Sequence, residues 1–180
     1  MKTFNSITLI LSLQTLLIIS ISSSHAKTFI PNDETLITFT CSRTPYPNLC
    51  VRSLILYPGS DRVDMWGLAE IMLNHLLRIK ANIALDKIHQ LQKAETAGPN
   101  QGLASCASKY NTILTIDIPK ANAAFQKGDR KGAEDGANAA ANEASTCETD
   151  FPRHLTVENT NMHGVAANAA AIIRNLHDRR

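Results

Sequence analysis

The sequence predicts an all-α fold, a helical bundle stapled by two disulfides. Three observations carry this. Apolar residues recur at spacings of three and four through most of the chain. No run alternates β-branched and polar residues in the way of a half-buried strand. All four cysteines, Cys41, Cys50, Cys106 and Cys147, follow a segment that reads as an export signal.

That segment opens the 180-residue chain. Lys2 gives a positive start, Ile7 to Ile21 are apolar apart from Thr, Ser and Gln, and Ser24-His25-Ala26 offers a small-x-small cleavage site. We expect residues 1–26 to be removed and residues 27–180 to form one domain, with a helical hairpin over about 35–65 and a bundle over about 66–177. The apolar stretch is too short for a membrane span, so no membrane partner is expected. The mature part carries 17 basic against 16 acidic side chains. A nucleic-acid binder usually shows a basic surplus, so no nucleic-acid partner is expected.

Residues 27–67 hold Pro31, Pro45, Pro47 and Pro58. Short helices and turns suit this composition better than one long element. A bond between Cys41 and Cys50 closes a small loop here. From Trp66 onward, Leu68, Met72, Leu76, Ile79 and Ile83 predict the inner stripe of a first long helix. Ile88 and Leu91 extend it, and Ala97-Gly98-Pro99-Asn100 stops it. A second helix is expected over Leu103–Lys127, with Cys106, Tyr110, Ile113, Leu114, Ala121, Ala124 and Phe125 inside and a bend at Pro119. Gly128 suits its C-terminal cap and Asp129 the N-cap of a third helix through Ala133, Ala137, Ala140, Ala144 and Cys147. A fourth helix, roughly 154–177, presents Met162, Val165, Ala169, Ile172 and Leu176.

The second and third helices form a hairpin about Gly128. Cys106 and Cys147 stand about 33 Å and 29 Å along its two arms, at similar heights. The pairing Cys41–Cys50 and Cys106–Cys147 therefore satisfies reach.

No constellation for catalysis, metal or cofactor emerges. The histidines lack H-x-x-x-H spacing, so no metal is expected, and no Gly-rich phosphate loop points to a cofactor. The serines lack an elbow motif. Glu134 and Asp135 are paired acids near a predicted helix start, where they suit the helix dipole more simply than a hydrolytic mechanism. The chain is thus expected to bind rather than catalyse. A rigid bundle is suited to that, because little ordering entropy is lost at its interface. A ligand carrier or a structural bundle is the rival reading, since the fold alone fixes no function.

Four marks together resemble the plant invertase and pectin methylesterase inhibitor family: Cys41-x-x-Thr44-x-Tyr46-Pro47-x-x-Cys50, Cys106-Ala-Ser-Lys-Tyr110, Cys147-Glu-Thr-Asp-Phe151, and the final helix through Ala169 to Leu176. The resemblance implies an N-terminal helical hairpin packed on an antiparallel up-down four-helix bundle. It implies the same two disulfides. It also implies a secreted inhibitor in a stoichiometric complex with pectin methylesterase or acid invertase, in the apoplast or the vacuole. In the invertase-inhibitor branch, a Pro-Lys-Phe triplet follows the Gly-Asp turn. Here the positions read Arg130-Lys131-Gly132, so only Lys131 carries over and the apolar anchor is lost. The other branch contacts its target through the second and third bundle helices, which offer Lys109, Thr112, Asp117, Asn138 and Asn142. The Asp-Ala pair common in that branch is replaced here by Thr112-Ile113. The lost triplet puts pectin methylesterase first and invertase second. Histidine protonation in an acidic cell wall is expected to make the complex pH-dependent.

Overall fold

Proline and the first disulfide shape the N-terminal part. The computed structural model describes residues 31–95, 98 and 100–177. The expected signal segment, part of the Ala97–Asn100 stop and the last three residues lie outside them. Helix α1 spans Pro31–Cys41 and α2 spans Pro47–Ile55. Pro47 stands at the first turn of α2, where its missing N–H costs nothing. Between the helices, the Thr44 hydroxyl donates to the Cys41 carbonyl at 2.7 Å. Cys41 and Cys50 are bonded, with Cα atoms 5.5 Å apart. Ile37, both cysteines and Leu54 are buried, so this arm has its own apolar contribution to the core.

Four antiparallel rods follow. The first runs through α3 (Met65–Glu70), a π segment π1 (Ile71–Leu76) and α4 (Leu77–Ala94). The Asp64 carboxylate caps it, accepting from the Gly67 N–H at 2.8 Å. The second runs through α5 (Gln101–Thr112), a π segment π2 (Ile113–Asp117) and α6 (Ile118–Gln126). The third and fourth are α7 (Arg130–Asp150) and α8 (Thr156–Arg174). Rod one packs on rod two and α8, rod two on α7, and α7 along α8, which closes a four-helix bundle. Among the described residues there is no strand, and no helix is long and apolar enough to cross a membrane.

The π segments correct two sequence readings. Leu68, Met72 and Leu76 are buried as expected, but Ile79 and Ile83 are 45% and 51% exposed. The inner face continues instead through Leu77, Ala81 and Ala84, and meets the expected stripe again at Ile88. A π turn inserts one residue and so shifts the register of the turns that follow it. In rod two, Pro119 lies inside the helical run, as the sequence places it. It stands at the first turn of α6, directly after π2, where the wider turn absorbs the missing donor. Cys106, Tyr110, Ile113, Ala121 and Phe125 are buried, whereas Leu114 and Ala124 are only half-buried. Asp117, expected on the contact face, takes an inner position and is 8% exposed.

Small residues set the spacing between rods. A Cβ at Gly136 would stand 2.6 Å from the Ala121 Cβ and 3.0 Å from its Cα, so α7 lies directly against α6 there. At the far end, Cys106 and Cys147 are bonded across α5 and α7, with Cα atoms 4.7 Å apart. Beside them runs a polar chain. The Tyr110 hydroxyl donates to Asn159 Oδ1 at 2.8 Å, and Asn159 Nδ2 donates to Glu148 Oε2 at 2.7 Å. Glu148 also accepts from the Thr156 hydroxyl at 2.7 Å and from the Arg153 N–H at 3.1 Å. This node ties rod two, α7 and the turn into α8 together.

Candidate target-binding surface

Helix α7 begins where the sequence places its cap. Gly128 takes φ of 77° after Lys127, a conformation that favours glycine. Asp129 then accepts from the Gly132 N–H at 2.9 Å. Residues Lys131, Asp135, Asn138 and Asn142 follow at steps of four, three and four. That spacing puts them on one stripe about 16 Å long. Three of the sequence candidates, Lys131, Asn138 and Asn142, thus share one side of α7. Lys131 and Asn142 are exposed and Asn138 is half-buried.

Lys131 forms an ion pair with Asp135 one turn on. The hydrogen bond from Lys131 to this carboxylate holds the ammonium above its ordinary value. Both groups are well exposed, so solvent screens the pair and it is readily exchanged for another carboxylate. A Cβ at Gly132 would lie 2.3 Å from Asp129 Oδ2 and 3.0 Å from the Ala124 Cβ. The position that lost the apolar anchor is therefore occupied by the cap itself.

The edge of rod two carries the remaining candidates. Lys109 Nζ meets Glu143 Oε2 of α7 at 3.3 Å. Asp117 is raised above the usual carboxylate range, chiefly by burial and then by the charge of Glu143, against a lowering by Lys120. Lys109 and Asp117 are thus brought to the same neighbour. Asp117 Oδ2 is buried without a hydrogen-bond partner. Thr112 turns its hydroxyl back to the Ser108 carbonyl at 3.1 Å, so that donor is already engaged within its own helix. Ile116, which sequence reasoning passed over, projects from π2 at 56% exposure. Its signal was present in the pattern Ile113-Leu-Thr-Ile-Asp-Ile118, but only the π register decides which isoleucine points out.

Other polar groups have structural partners. Glu134 pairs with Arg174 of α8 at 2.8 Å, and Asp135 with Lys131, so the two acids diverge. Ser145 Oγ lies 2.8 Å from His163 Nδ1 and donates to the Ala141 carbonyl at 3.1 Å. His163 Nδ1 also lies 3.2 Å from the Ala141 carbonyl, so serine and imidazole share one backbone acceptor on α7. His75 is exposed and lies against Tyr57, with ring centroids 5.3 Å apart. Among the described residues, no group of three His, Cys, Asp or Glu could hold a metal.

Comparison with known proteins matches this geometry to a family. The plant invertase/pectin methylesterase inhibitor family matches residues 35–172. An Arabidopsis thaliana protein named "Cell wall / vacuolar inhibitor of fructosidase 1" is 36% identical over 120 residues. The match covers 67% of this chain and 58% of that protein's length. Two crystal structures from Arabidopsis share the fold. A mutant form of a pectin methylesterase inhibitor has a TM-score of 0.66 at 20% identity, covering 79% of this chain and 98% of that one. A further pectin methylesterase inhibitor has a TM-score of 0.56 at 18% identity, covering 81% and 98%. The family consists of inhibitors of enzymes rather than catalysts. With its two disulfides, hairpin and four-rod bundle, the chain belongs to the plant invertase/pectin methylesterase inhibitor family.

Proposed function

We propose that this protein is a secreted inhibitor of an acid invertase (β-fructofuranosidase), acting in the extracellular space or the vacuole. It forms a stoichiometric complex and covers the enzyme's active-site cleft. One observation carries this reading: the 36% identity to an inhibitor of fructosidase, against 20% and 18% for the two pectin methylesterase inhibitors. We therefore place invertase ahead of pectin methylesterase, the opposite of the order that the lost triplet alone suggests. Gly132 lacks the apolar anchor of the invertase-inhibitor branch, and the likeness to an inhibitor of fructosidase outweighs that loss. Support from geometry is the exposed Lys131 at the head of the α7 stripe, in an ion pair weak enough to exchange.

Pectin methylesterase is the second reading. The observation favouring it is the rod-two edge, where Lys109, Thr112, Ile116 and Glu143 lie together beside Asp117. An exposed isoleucine amid polar groups has the composition of an interface centre. The test is a titration of acid invertase activity with the purified, oxidised protein. Loss of activity with an end point near one inhibitor per enzyme is expected. Full activity at a large excess of inhibitor would overturn the proposal.

A further inference from the structure

The turn that presents Lys131 lacks the proline that would stiffen it from within. It reads Gly128-Asp129-Arg130-Lys131-Gly132, with glycine on both sides. The structure supplies stiffness from elsewhere. The Arg130 guanidinium donates to the Leu176 carbonyl, beyond the end of α8. One turn on, Arg174 donates to Glu134 Oε1 through Nε at 2.8 Å, with Nη2 also 2.8 Å from the same oxygen. Both partners belong to the end of the fourth rod, 46 and 40 residues away. Leu176 is itself buried in the core, so the clamp is anchored there.

Arg130 and Glu134 lie four apart, on the side of α7 that meets α8. Lys131 and Asp135 are the next residues along and lie about 100° further round the helix. Two parallel pairs therefore divide the work. The inner pair grips the fourth rod, and the outer pair faces solvent. Glu134 is the more enclosed partner, with 16% of its side chain exposed against 62% for Arg174. A carboxylate shielded in this way holds its guanidinium better than a fully exposed one.

We propose that Arg130 and the Glu134–Arg174 pair are positioning residues for target binding. They clamp the first turn of α7 to the end of α8 and hold Lys131 in a binding-ready direction, in place of a proline. The proposal rests on the invertase reading of Lys131. Pre-ordering of this kind lowers the ordering cost at the interface, so its loss weakens binding without removing any contact to the target.

The test uses the full oxidised chain and acid invertase. Inhibition constants are measured for wild type, Arg174→Gln, Lys131→Ala and the double variant. Arg174→Gln is expected to weaken inhibition by about threefold to tenfold, and to have little further effect in the Lys131→Ala background. The charge-exchanged pair Glu134→Lys/Arg174→Glu is expected to regain most of the loss. Equal losses in both backgrounds, or no loss from Arg174→Gln, would overturn the proposal. Glu134→Gln serves as a second variant should Arg174→Gln fold poorly. Amide exchange at residues 129–133 separates the two levels of the argument. If Lys131→Ala leaves inhibition unchanged while Arg174→Gln speeds exchange there, the Lys131 reading fails and the clamp stands. Unchanged exchange in Arg174→Gln removes the clamp.

Discussion

Asn168, fully buried on α8, holds the backbone of Tyr46 from both sides. The Tyr46 N–H donates to Asn168 Oδ1 and Asn168 Nδ2 donates to the Tyr46 carbonyl, each at 3.0 Å. The pair joins residues 122 apart in sequence and docks the α1–α2 turn on the fourth rod. Tyr46 also meets His163 edge-on, with centroids 5.8 Å apart. Substituting Asn168→Ala leaves the Tyr46 N–H without a partner, while the Tyr46 carbonyl keeps the Cys50 N–H at 3.0 Å, at a cost of about 1–3 kcal/mol. Chemical denaturation is expected to show that loss. Amide exchange is expected to rise in α2 before it rises in α7. Uniform exchange across the chain would mean that the hairpin depends on other contacts.

At Gly136, α7 lies directly against α6. A methyl group there meets Ala121 backbone as well as its side chain, and backbone cannot swing aside. Gly136→Ala is therefore expected to destabilise by about 1–3 kcal/mol through overpacking, despite alanine's better helix propensity. A thermal midpoint at or above that of wild type would show that the two rods have room to part.

Two carboxyl groups give stability opposite pH slopes. Asp117 is raised in the fold, chiefly by burial, so the native state holds its proton more tightly than the unfolded chain. Stability therefore falls as pH rises from the ordinary aspartate value through the raised one. Burial also pushes Glu148 up, but hydrogen bonds from Thr156, Asn159 and Arg153, with the charge of His154, outweigh it and lower the group. Its stabilisation is present above the ordinary glutamate value and is lost as pH falls through the lowered one. Replacing Glu148→Gln is expected to cost about 1 kcal/mol near neutrality, discounted for partial exposure, and to cost progressively less as pH falls below the ordinary glutamate range. Asp117→Asn is expected to flatten the decline on the neutral side. Parallel pH profiles for wild type and both variants would contradict this assignment.

The bundle was legible because its signals are local. Asp129 caps α7 and Gly128 closes the preceding helix because both residues act within one turn. The hairpin arithmetic brought Cys106 and Cys147 together for a similar reason, since it needs only helix rise and a short turn. The readings that failed depended on register. A single inserted residue at π1 sends Ile79 and Ile83 outward and brings Ala81 and Ala84 in, although the isoleucines make the stronger apolar pattern. At π2 the same effect places Ile116 outside and Asp117 inside. The clamp between Arg130, Glu134 and the end of α8 had no local signal at all. It joins residues that only the closed bundle brings together.

Inhibition of acid invertase through the Lys131 end of α7 is tested by one paired measurement. Inhibition constants of wild type and Lys131→Ala are determined side by side against acid invertase and pectin methylesterase. The account predicts tight inhibition of invertase by wild type, weakened about tenfold or more by Lys131→Ala, and little effect of either protein on pectin methylesterase. Tight inhibition of pectin methylesterase with invertase untouched, and no difference between the two proteins, would contradict it and move the interface to the edge of Lys109 and Ile116.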